Sequence, residues 1–137
     1  MSSTNISKIY HGSAIKVVDA KSADYNTVAS LTQINCNGFN RLMVHYQISS
    51  TSWDRAGDII VYGSFWEDSA DANTLYVPLD NTVENATFAV TTDDDDKTNQ
   101  GEIYFVENIP PYIKVGWDAT TAGTAGTITV WVLPCNY

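Results

Sequence analysis

Residues 110–134 read Pro-Pro-Tyr-Ile-Lys-Val-Gly-Trp-Asp-Ala, then Thr-Thr-Ala-Gly-Thr-Ala-Gly, then Thr-Ile-Thr-Val-Trp-Val-Leu-Pro. Two alternating runs flank a Gly/Thr/Ala turn, and prolines stand outside both ends. Side chains of an extended chain point alternately to opposite faces, so alternation marks a strand half-buried in a sheet. Ile113, Val115 and Trp117 share one face of the first run, and Ile128, Val130 and Val132 share one face of the second. Both sets are assigned to a core. The stretch predicts a closing antiparallel hairpin. The opposite face, with Tyr112, Trp131 and Leu133, is too apolar for plain solvent, so it is expected to be covered by the N-terminal arm or a neighbouring subunit.

Working outward, the same period recurs. In residues 41–49, Leu42, Val44, Tyr46 and Ile48 take one face, and Met43, His45 and Gln47 take the other. Residues 58–66 are apolar on both parities, as expected of a strand covered on both sides, by a second sheet and a loop or by another subunit. Short strands are also expected at 14–18, 75–77, 87–90 and 102–106. Residues 27–34 change parity midway, which predicts a bulged or bent strand. Asn37-Gly38 marks a turn, because both residues tolerate positive φ. No long stretch has helical period. Eight or nine short strands separated by turn signals predict an all-β antiparallel sandwich, with an eight-stranded jelly roll as the first choice. Residues 1–14 are expected to form an arm and residues 15–137 a single domain.

The bulk numbers suit this reading. The chain has 137 residues, enough for one domain with a core, and is 44% hydrophobic with 17% charged residues. Its net charge is -9, from 16 acidic and 7 basic residues. The cations Lys8, Lys16, Lys21, Arg41, Arg55, Lys97 and Lys114 are scattered. Without a basic patch, neither nucleic acid nor an anionic membrane is an expected partner. The polar first residues and the absence of a long apolar run predict no signal peptide and no membrane-spanning helix. A soluble cytosolic product is expected.

Candidate chemistry is sparse. Cys36 and Cys135 form no CxxC pair, and with only His11 and His45 beside them no zinc set is expected. A disulfide between them stays open, with free thiols the expected state. No nucleophile motif marks any serine. His45 reads as a surface or interface histidine, and no carboxylate pair is placed across a cleft by its spacing. The run Asp93-Asp-Asp-Asp96 lacks the alternating ligands and the glycine of a calcium loop, so it reads as a solvated loop. No enzyme activity, cofactor or metal is expected. The aromatics say more. Trp53 lies in a predicted loop, while Trp66 and Trp131 fall on the parity away from the core. With Tyr10, Tyr112 and Leu133 they make the candidate interface, since exposed Trp and Tyr favour protein contacts and sugar platforms.

Three blocks resemble small β-sandwich virion proteins of tailed bacteriophages. One is Thr27-Val-Ala-Ser-Leu-Thr-Gln-Ile34 followed by Asn37-Gly-Phe-Asn-Arg-Leu-Met-Val44. The second is Gly63-Ser-Phe-Trp-Glu-Asp-Ser69, and the third is Tyr112-Ile-Lys-Val-Gly-Trp-Asp-Ala-Thr-Thr-Ala-Gly-Thr124. The resemblance spans roughly residues 27–133 and is one of pattern. It implies a capsid decoration or cement protein, a jelly roll acting as a homotrimer on the major capsid protein, at the virion surface after assembly in the host cytoplasm. The family pattern does not require the Asp run or the acidic balance. Other expectations are a head-fibre base, neck or tail protein, or a carbohydrate-binding module using Trp53, Trp66 or Trp131.

Overall fold

The computed structural model describes residues 10–11, 13–49, 53–67, 75–79, 87–90, 101–121 and 123–136. Among them are ten strands: β1 (Tyr10–His11), β2 (Ile15–Lys21), β3 (Ile34–Asn35), β4 (Arg41–Ile48), β5 (Ala56–Ser64), β6 (Val77–Pro78), β7 (Thr87–Val90), β8 (Gly101–Glu107), β9 (Tyr112–Thr121) and β10 (Ile128–Asn136). They form two antiparallel sheets. In the first, β10 lies between β4 and an edge made by β1 and β2, and β8 flanks β4. In the second, the order is β3-β9-β5, with β6 and β7 both on the far side of β5.

The four-strand orders β2-β10-β4-β8 and β3-β9-β5-β7 are those of a jelly roll. Four nested pairings build it: β2 with β10, β3 with β9, β4 with β8 and β5 with β7. The chain thus behaves as one long antiparallel ribbon, its first half paired with its second, folded over a core. The all-β sandwich expected from the sequence is the observed fold.

This topology corrects the closing hairpin. β9 and β10 are consecutive but belong to opposite sheets, β9 pairing with β3 and β5 and β10 with β1, β2 and β4. Each takes its partner from the first half of the ribbon, so the turn between them crosses the sandwich. The face assignment holds, because crossing the core turns both apolar faces inward. Ile113, Val115, Trp117, Ile128, Val130 and Val132 are all buried in one cluster with Leu42, Val44, Tyr46 and Ile48.

Two segments differ from their expected form. Residues 27–34 are not a bulged strand: Val28–Ser30 is a 3-10 turn, and only Ile34–Asn35 pairs in a sheet. Val28 and Leu31 are three apart, the spacing that shares a face in a 3-10 turn. That turn and the segment before it lie over the outer face of the second sheet. Tyr25 exchanges both backbone hydrogen bonds with Trp117, each 2.8 Å. Leu31, Tyr62 and Tyr76 form a small second cluster there, with Tyr25, Val28, Ile60 and Tyr112 against it. This cover explains the two-sided apolar pattern of β5: one parity faces the main core and the other faces the strap. It also buries Lys114 completely, its Nζ donating to the Val28 carbonyl at 2.9 Å and lying 4.9 Å from the Tyr76 ring centre.

β2 carries a bulge. Ile128 is opposite Lys21 and Val130 is opposite Val18, so two residues of β2 face Thr129. The extra residue is absorbed at Ala20, whose φ is 48° and whose N–H donates to Thr129 Oγ1 at 3.1 Å.

Candidate functional site

Each end of the sandwich is tied by side chains. At one end Asp54 accepts hydrogen bonds from the N–H groups of Thr124 and Ala125 and from the Thr124 hydroxyl. Those donors, with the Ala125 N–H first, hold the Asp54 carboxyl below its ordinary value of 3.8. Arg55 Nε donates to the Gly126 carbonyl at 3.1 Å. At the other end Arg41 pairs with Glu107, and Asn136 joins Asn40 N–H to the Gly38 carbonyl. Gly38 has φ 86°, as its Asn-Gly turn requires. These contacts position loops, and nothing in them is set up for proton transfer.

Cys36 and Cys135 are free and buried. Burial pushes the Cys36 thiol up to about 12 and raises Cys135 as well. A thiol held protonated and enclosed is a small apolar side chain, a poor nucleophile and a poor metal ligand. No group of three His, Cys, Asp or Glu able to hold a metal stands among the described residues. No helix there is long and apolar enough to cross a membrane. The Asp93–Asp96 run lies outside the described residues.

Two apolar surfaces remain. The first is a cleft of about 550 Å³ lined by Gly63, Ser64, Phe65, Trp66, Leu75, Val77, Leu79 and the segment 108–111. β5 was expected to run to Trp66 but ends at Ser64, whose hydroxyl accepts from the Trp66 N–H at 3.0 Å. Released from the sheet, Phe65 and Trp66 are 75% and 59% exposed, and Leu75 and Val77 are 48% and 56% exposed. Asn108, at φ 56°, turns the chain so that Pro110 and Pro111 form the opposite wall. Gly63 is the floor: a Cβ there would meet Pro110 Cγ at 2.5 Å and Leu79 Cδ2 at 2.6 Å.

The second surface is a groove of about 400 Å³ on the outer face of the first sheet, lined by Ala14, Met43, His45, Gln47, Trp131, Val132 and Leu133. It follows from the alternation of β4 and β10, whose off-core residues face the same way. Trp131 and His45 are directly paired across the strands, their ring centres 5.3 Å apart. Trp131 and Leu133 are half-buried, so Trp131 is neither isolated nor fully exposed.

The six interface candidates are thus dispersed. Trp53 is corrected: it is 2% exposed and belongs to the main core, 6.1 Å from Trp117 between ring centres, so it presents no surface. Tyr112 does not share a face with Trp131 and Leu133, because it lies on the other sheet against the strap cluster. Trp66 lines the cleft, and Trp131 and Leu133 line the groove. β1 pairs with the end of β10, which puts Tyr10 opposite Asn136, but the Tyr10 side chain and the arm before it lie outside the described residues. Phe65, Leu75, Val77 and Met43 were not singled out by sequence reasoning. The one available signal was the density of apolar residues on both parities near the end of β5.

No protein-family model matches the chain, and no curated protein matches it. Among solved structures it is similar to the SPBc2 prophage-derived protein YomS, with a TM-score of 0.49 and 12% identity, over 94% of this chain and 96% of that chain. A likeness at that score and identity carries no functional weight.

Proposed function

We propose that the protein is a structural virion component, a capsid decoration or cement protein that binds the outside of a phage head through the groove of the first sheet. The three sequence blocks that resemble phage β-sandwich virion proteins support this, and so does the jelly-roll order of the strands. The observation that carries it is the groove itself. Met43, His45, Trp131 and Leu133 form a half-buried apolar strip on rigid, paired strands, which suits docking by shape and buried area.

The test uses heads assembled without this protein. Purified protein is added, the heads are sedimented, and bound copies are counted and located by electron microscopy. Saturable binding is expected, weakened at least about tenfold by Trp131→Ala, the loss typical of an interface anchor. Heads that bind no protein at saturating concentration contradict the reading. A carbohydrate-binding role has one observation in its favour, the exposed Trp66 beside Asn108 in the cleft. Glycan binding that disappears in Trp66→Ala would favour it over the capsid role.

A further inference from the structure

The cleft of Phe65, Trp66, Leu75 and Val77 has an electrostatic property that the rest of the chain lacks. None of the eleven residues lining it is charged, on a molecule of net charge -9. A basic partner would be read by carboxylates, and the lining has none. Two copies of the same acidic chain repel one another except where they meet through a surface free of their own charges.

The shape is also self-complementary. The same patch holds a recess of about 550 Å³ and, at 75% exposure, a Phe65 ring that stands out from it. A surface with both a protrusion and a recess matches its own image across a two-fold axis, which is an isologous contact. The area agrees. Phe65 and Trp66 leave roughly 300 Å² open between them, taking about 200–250 Å² for each aromatic residue. With Leu75 and Val77 the patch exceeds the ~400 Å² above which an exposed apolar surface is unusual on a monomer. Paired with its copy it hides roughly 900 Å², and the rim at Ile109, Pro110 and Pro111 brings the total to the ~1,000 Å² of a specific interface.

The geometry points to a two-fold dimer of this chain, closed by the Phe65–Trp66 surface of one copy seated in the cleft of the other. It does not depend on the capsid reading, which uses the groove of the other sheet. Sedimentation velocity of the full chain tests it. A dimer is expected, and it strengthens as salt is raised, because salt screens the repulsion between the two acidic bodies and the contact itself has no ion pair to lose. Trp66→Glu and Phe65→Glu each place a carboxylate in the uncharged patch and are expected to leave monomers with unchanged circular dichroism, since both side chains are exposed. Trp131→Glu, in the groove, is expected to keep the dimer. A chain that is monomeric or trimeric at every salt concentration overturns the inference. So does a dimer that survives both cleft substitutions or is lost in Trp131→Glu.

Discussion

Asp54 shows how one side chain can close the end of a sandwich. Its carboxylate collects the N–H groups of Thr124 and Ala125 just where the chain crosses from one sheet to the other. Those bonds favour the charged form, so the folded value lies below 3.8. A depressed carboxyl contributes stability that is present above its unfolded value and lost as pH falls through the folded one. Asp54→Asn is therefore expected to melt lower than the wild type at neutral pH, with the difference shrinking on acidification toward about pH 3. Thermal melts across that range check it, and a difference that stays constant with pH would show that the charge plays no part. At this scale the sequence said little. Trp53 was read as a loop aromatic because no periodicity surrounds it, yet it packs on Trp117 in the core. The burial of a loop residue is decided by what folds over it, and local pattern does not contain that.

The strands were the most legible elements. Alternation placed Leu42, Val44, Tyr46 and Ile48 inward on β4 and the two closing triads inward on β9 and β10, as observed. It did not reveal which strands pair. Face is a local property of period two, whereas pairing joins residues as distant as Ile15 and Val132, so β9 and β10 read equally well as a hairpin or as a crossing. The strap over the second sheet was less legible still, because its turn has no strand period. Its fit depends on Gly116, where a Cβ would meet Asn26 Oδ1 and, at 3.2 Å, Leu31 Cδ1. Asn26 also accepts from the Tyr62 hydroxyl at 2.8 Å. Gly116→Ala is expected to push the strap off β9, costing about 1–3 kcal/mol by overpacking. Denaturant unfolding gives the cost, and faster proteolysis within residues 22–33 would identify the strap as the part that moves. Unchanged stability and cleavage would mean that the strap does not pack as tightly as described.

For the molecule as a whole, the jelly roll separates its two apolar surfaces. The groove lies on the outer face of the first sheet, and the cleft lies at the end of the second where β5 stops. Composition foretold the sandwich and an apolar surplus, but only the fold divides that surplus between core, strap, groove and cleft. The account assigns the groove to the capsid and the cleft to a second copy. Oxidative footprinting of side chains, on the free protein and on protein bound to heads, reads both surfaces at once. Met43, His45 and Trp131 are predicted to be oxidised in the free protein and protected on the head. Trp53 and Trp117 should stay protected in both states, being buried. Equal oxidation of Met43, His45 and Trp131 in the free and head-bound states would contradict the central claim.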